Sequence, residues 1–256
     1  MNDPANDPSS IADLGRAEQV RLLLDLFHRN LIHHALWFAE VRHQMGEEMA
    51  LEAMDEVLGK GLDLQLKRLA KVLGVSLEDG LPEPLLEMPD ETRRALIEAA
   101  SANWLATDGL WFQAVEFRHG MNEAKRCNDS CWAHFSPFEA WSIKRFLKLP
   151  DRPGLQGLKT ALNFRLYSSL NEQSMEDDTP HSFIFRMNRC RVQTARNRKG
   201  LADYPCKSGG LVEYTYFARA IDSRIRTECL ACPPDPHPEE WVCAWRFSLP
   251  EPEGRS

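Results

Sequence analysis

Leu36-Trp-Phe-Ala-Glu-Val41 returns 74 residues later as Leu110-Trp-Phe-Gln-Ala-Val115. Gly46 and Ala50 follow the first copy, and Gly120 and Ala124 follow the second at the same spacing. Matched positions in one register mark an internal duplication. Lys67-Arg68-Leu69 and Lys144-Arg145-Phe146 extend the match, with a three-residue insertion in the second copy. Two copies are too few for a solenoid. They are expected to pack as one pseudo-symmetric helical layer.

Around the first copy, Leu22, Leu23, Leu26, Phe27, Leu31, His34, Trp37, Phe38 and Val41 recur at three- and four-residue intervals. That period gives a helix one buried face. The second stripe runs Leu96, Ala100, Trp104, Asp108, Trp111, Phe112 and Val115. Cys127 and Cys131 share a helix face and read as core. Ser136-Pro-Phe-Glu139 reads as a capping box with proline in the first turn, so a helix is expected from there to about Leu147. A further helix is expected over 155–170, and the polar stretch 171–181 closes the helical half.

Beyond it the period changes. Phe183, Phe185 and Met187 alternate with more polar neighbours as in a half-buried strand, and residues 211–225 return to helical spacing. Arg226 to Cys232 and Trp241 to Leu249 read as antiparallel strands joined by the proline-rich run 233–240, which brings Cys232 and Cys243 together. The expected fold class is α+β, mainly α, with a duplicated helical half packed on a small cysteine-rich antiparallel α+β unit. The expected divisions are a disordered tail at 1–16, repeat one at 17–80, a linker at 81–92, and repeat two plus an extra helix at 93–180. The cysteine-rich unit covers 181–250 and a tail covers 251–256.

Five of seven cysteines fall in the cysteine-rich unit: Cys190, Cys206, Cys229, Cys232 and Cys243. Met1-Asn-Asp-Pro lacks the basic and apolar regions of a secretory signal, so a cytoplasmic location with reduced thiols is expected. No apolar run approaches the ~18 residues of a membrane span. Net charge is -7, which argues against nucleic acid as a partner. From Arg186 to Lys207, seven basic residues meet one acid, Asp203, leaving -13 on the rest of the chain. Such a local patch suits a small anionic molecule. The sequence is also compatible with a homodimer.

Two chemistries fit the thiols. Cys206, Cys229, Cys232 and Cys243 can supply the four soft ligands of a tetrahedral zinc, although their spacing matches no standard zinc ribbon. Alternatively, Cys190 or Cys206 is a nucleophile, because Arg189, Arg191 and Lys207 beside them would favour the thiolate. Arg189, Arg191 and Arg196 are candidates to hold a substrate carboxylate. Glu116, one turn past Phe112, and Tyr214 are further substrate-binding candidates. Asp108 falls on the apolar stripe where burial would raise its pKa, which makes it a candidate acid/base in a pocket between the repeats. Asp222 is the second candidate proton carrier.

The stretches 108–116, 124–132, 185–193, 198–201 and 229–245 resemble an uncharacterised bacterial cytosolic-protein family, a domain of unknown function. Cys190, Cys206, Asp222, Arg226-Thr227 and Cys243-Ala-Trp-Arg-Phe247 look like the C-terminal pattern of L-2-amino-thiazoline-4-carboxylic acid hydrolases. The cysteine-aromatic ending is also similar to 4-vinyl reductase-type ligand-binding domains. The hydrolase resemblance implies hydrolysis of a carbon–nitrogen bond in a small anionic carboxylate at a cysteine- and arginine-lined site. The alternatives are a zinc-binding sensor or scaffold without catalysis, and an iron–sulfur or redox protein.

Overall fold

A computed structural model describes residues 8–250; residues 1–7 of the expected tail at 1–16, and the expected tail at 251–256, lie outside the described residues. The fold is mainly α with two small antiparallel sheets, and helices make up 64% of it. Among the described residues no helix is long and apolar enough to cross a membrane. The chain divides into two compact units, with the boundary between Leu86 and Glu87.

The first unit contains α1 (Arg16–Met45), α2 (Glu47–Leu73), a two-stranded hairpin β1 (Leu77–Glu78) and β2 (Leu81–Pro82), and one turn of helix, α3 (Glu83–Leu86). Ahead of α1, the Asp13 carboxylate accepts hydrogen bonds from the Ser9 and Ser10 backbone N–H groups, which closes a turn over residues 9–13. The second unit opens with α4 (Asp90–His119) and α5 (Met121–Leu147), followed by α6 (Gly154–Leu162). Strands β3 (Glu172–Glu176) and β4 (Ser182–Arg189) come next, then α7 (Arg191–Arg198), α8 (Lys207–Ile221), β5 (Arg226–Ala231) and β6 (Cys243–Ser248).

The two long hairpins have equal dimensions. Each pairs a 30-residue helix with a 27-residue helix through one glycine, Gly46 or Gly120. Both glycines are at φ near +90° (94° and 90°), a region closed to residues with a Cβ. Ala50 and Ala124, one turn past each hinge, are both 1% exposed, because the hairpin arms close on them. Equal helix lengths rule out the expected three-residue insertion. By helix position Lys144 corresponds to Ala70, not to Lys67.

Four other expectations need correction. α5 does not begin at the Ser136 capping box; it runs unbroken from Met121 and carries Pro137 in its interior. Packing against α4 and α8 holds the helix through a residue that lacks an N–H. The helix expected over 155–170 stops at Leu162, and a separate 3-10 turn covers Ser168–Leu170. The polar stretch after 170 contains a strand, β3. Leu96, Trp111, Cys127 and Cys131, assigned to buried stripes from their period, are exposed.

The core lies in the second unit. Its sheet has the order β3-β4-β6-β5 with every neighbour antiparallel. Register sets Phe183 opposite Phe247, Phe185 opposite Trp245, and Met187 opposite Cys243. Paired residues point to the same face, and these six form the inner layer. Tyr214, Phe217, Ala218 and Ile221 of α8 and Leu158 and Leu162 of α6 pack on them. Each large side chain fully removed from water here contributes about 1.5–3 kcal/mol. α8 lies flush on the sheet because Gly210 has no side chain: a Cβ there would come within 2.6 Å of Trp245 Cζ2.

Candidate functional site

α4, α7, α8 and the inner face of the sheet enclose a cavity of about 480 Å³ within the second unit. It lies inside this unit and not, as expected, between the two repeats. Four of the five C-terminal sulfurs reach it: Cys190 from the end of β4, Cys206 from the start of α8, and Cys232 and Cys243 from the hairpin ends of β5 and β6. The hairpin reading from sequence foresees the last pair. Cys229, paired with Trp245 further along β5, is packed on the core and does not line the cavity.

Cys206 has the setting of a reactive thiol. It is the N-cap of α8, where the positive end of the helix dipole favours an anion. The buried Gln193 side chain donates to its sulfur at 3.2 Å and to the Tyr204 carbonyl at 2.7 Å. Gln193 Oε1 in turn accepts from the Tyr204 N–H at 2.9 Å, so one side chain fixes the whole approach to α8. A hydrogen bond from Cys232 is the largest influence drawing the Cys206 pKa below its ordinary value, with Lys125 and Gln193 contributing. Cys232 is correspondingly driven up by its bonds to Cys206 and Cys243 and by burial. Of the two, Cys206 is therefore the thiol that gives up its proton more readily.

Cys190 is different. Burial pushes its pKa up to about 12, which makes it an inert neutral thiol. The arginines beside it in sequence do not help. Arg189 is on the surface, 3.3 Å from Glu172, and Arg191 is exposed at the cavity rim. Cys190 thus lines the cavity, and Cys206 is the better placed of the two candidate nucleophiles.

Asp108 does face the cavity, as its place on the α4 stripe implies. Burial raises its pKa to about 6, with a smaller contribution from the charge of Glu213. Tyr204, also on the cavity, interacts electrostatically with Asp108, Cys206 and Glu213, which places all four groups in one neighbourhood. Tyr214 lines the wall with its hydroxyl 3.4 Å from that of Tyr167.

The other expected roles fail for identifiable reasons. Arg196 lines the cavity, but its guanidinium forms two hydrogen bonds to Glu116, at 3.0 and 2.8 Å, and a third to the Ala202 carbonyl. Glu116 is therefore the partner of Arg196 and not a substrate ligand. Asp222 is buried away from the cavity, where it accepts from Arg224 and from the Gly154 N–H. It caps α8 and ties it to α6. Cys206, Cys229, Cys232 and Cys243 do not form the expected zinc site. Among the described residues no three His, Cys, Asp or Glu side chains are arranged to hold a metal ion.

Sequence reasoning also missed several groups. Lys125 is buried in α5, where it pairs with Asp129 and donates to the Tyr204 hydroxyl, each at 2.8 Å. Arg165, 2% exposed, lies behind the cavity wall and is held by Glu139 (2.8 Å) and Glu213 (2.7 Å). Trp104, Trp132 and Tyr167 form a mutual ring cluster on the wall, with centroids 5.9 to 6.4 Å apart. The signal available in the sequence was the run Cys206-Lys-Ser-Gly-Gly210. Two glycines in the first turn of a helix let it approach its neighbours closely, and both line this cavity.

Searches among curated proteins and solved structures find no match. The profile of one family, described as "Family of unknown function (DUF6125)", matches residues 86–249 and so spans every residue that builds the cavity. The chain belongs to the DUF6125 family.

Proposed function

We propose that the cavity binds a small molecule with a flat, largely apolar body and that Cys206 attacks it, hydrolysing a carbon–nitrogen bond. One observation carries this reading. The thiol most favoured as a thiolate stands at the N-terminus of a helix and opens into the cavity that also holds the raised carboxyl of Asp108. A thiolate nucleophile beside a group titrating near neutrality is the arrangement acyl and amidine chemistry needs.

In the proposed sequence, the Cys206 sulfur bonds to the trigonal carbon and Asp108, protonated, gives its proton to the departing nitrogen as the carbon–nitrogen bond breaks. Asp108, now a carboxylate, takes a proton from water. The resulting hydroxide adds to the thioester-like carbon and expels Cys206 as the thiolate, which restores the starting state. Cys190, Cys232 and Cys243 remain thiols throughout. The likeness of residues 190–247 to thiazoline carboxylate hydrolases supports the reaction type. It does not extend to three arginines holding a carboxylate, since Arg189 and Arg196 are already paired.

The test is site-resolved alkylation by iodoacetamide, followed by mass spectrometry across pH. Cys206 should react with a midpoint below the ordinary thiol value, and hydrolysis of an amide and amidine panel should vanish in Cys206→Ser but persist in Cys127→Ser. A Cys206 that alkylates no faster than Cys127 at neutral pH would rule the thiolate out.

A further inference from the structure

The balance of charge inside the cavity identifies the class of ligand, on the reading that this is the working site. Every inward cation near it has a carboxylate of its own. Arg165 is held by Glu139 and Glu213, Arg196 by Glu116, and Lys125 by Asp129. Arg191 and Lys199 line the cavity only at its solvent-exposed rim. Asp108 has no such match: among the described residues no donor or cation is set against its carboxylate.

From α4, Trp104 stands one turn from Asp108 on the same face. Trp104 belongs to the cluster with Trp132 and Tyr167, whose far side is already occupied by the Arg165 guanidinium, 4.5 Å from the Tyr167 ring and 5.6 Å from Trp132. The wall thus offers electron-rich ring faces and a carboxylate together. A neutral ligand would cover Asp108 and leave it desolvated without a partner. An anion would in addition face the charges of Asp108 and Glu213. A cation relieves both penalties and gains attraction from the rings.

We propose that the cavity takes a small organic cation, an ammonium or amidinium on a flat apolar body, with its charged nitrogen between Asp108 and the Trp104–Trp132–Tyr167 cluster, where a substrate's N–H hands the Asp108 carboxylate the proton that it later gives to the departing nitrogen. This replaces the anionic ligand expected from the basic run in the sequence.

The test is calorimetric titration of the whole protein at neutral pH with three probes of similar size: benzyltrimethylammonium, its uncharged isostere neopentylbenzene, and phenylacetate. The cation should bind about tenfold or more tightly than the isostere, and phenylacetate most weakly. In Asp108→Asn the advantage of the cation should disappear while neopentylbenzene binds as before. Equal binding of the two isosteres, or tightest binding of phenylacetate, would overturn the assignment. If Asp108→Asn does not fold, the ranking of the three probes on the unaltered protein still decides. The outcomes also separate the two proposals. Cation preference with an unreactive Cys206 keeps the ligand class and removes the chemistry. A reactive Cys206 with no charge preference does the reverse.

Discussion

The two hairpins share one backbone plan but have opposite interiors. In the first, α1 buries no residue and α2 buries only Ala50 and Ala70. In the second, the equivalent helices bury Phe112, Lys125, Ser136, Glu139 and Ile143 among others, under α6, α8 and the sheet. Position by position, Asn30 becomes Trp104, His34 becomes Asp108, Leu51 becomes Lys125 and Gln65 becomes Glu139. The plan is thus set by helix length and hinge, whereas the site is set by a few exchanged side chains and by what covers them. Polar groups sit inward in the second copy, where partners such as Arg165 and Tyr204 meet them.

This contrast can be broken most decisively at Arg165. Arg165→Met leaves Glu139 and Glu213 buried without their cation and should cost about 3–5 kcal/mol in chemical denaturation. Gln65→Ala, at the first-hairpin position equivalent to Glu139, should stay within about 0.5 kcal/mol. Equal losses would mean that the buried network does not distinguish the copies.

The next test uses opposite signs. Gly210→Ala drives a methyl into Trp245 and should lose about 1–3 kcal/mol. In α2 nothing stands within 4 Å of a Cβ built on Gly59, so Gly59→Ala should gain about 0.5–1 kcal/mol from helix propensity alone. Thermal melts of both variants check this.

Acid sharpens the comparison further. The Arg224 hydrogen bonds, with that of Gly154, hold the Asp222 pKa at about 2, below its ordinary 3.8. A depressed carboxylate stabilises the fold above its unfolded pKa and loses that contribution as pH falls through the folded one. About 2 kcal/mol should therefore disappear between pH 4 and 2. In Asp222→Asn that part of the pH dependence should be missing from the denaturation profile.

The smallest expected difference concerns the hinges. Gly46→Ala and Gly120→Ala each force a Cβ into a glycine-only conformation, and each should cost about 1–3 kcal/mol. If the shared plan is local, the two costs agree within about 0.5 kcal/mol. A large gap in unfolding free energy would show that surroundings, not the hinge, decide the turn.

Much of this was legible in residue order where the physics is local. Alternation revealed β4, period revealed the long helices, and the hairpin of β5 and β6 foretold that Cys232 and Cys243 would meet. Asp108 was found because an apolar stripe leaves its side chain one direction to take. Long-range pairing was not legible. Arg196 looked available until Glu116, 80 residues earlier, proved to hold it. Asp222 looked like a proton carrier until the Gly154 N–H, 68 residues away, proved to donate to its carboxylate. Helix α5 was misplaced because Pro137 argues locally for a start, and only packing carries the chain past it.

A turn made of one residue has no slack. With Gly46 and Gly120 as the entire link between long arms, neither hairpin can absorb an insertion at its bend without turning every later side chain off its stripe. The longer segments before α8 and between β5 and β6 have room for added residues. Those segments border the sulfur-lined hollow, so a change of length in either should alter ligand choice.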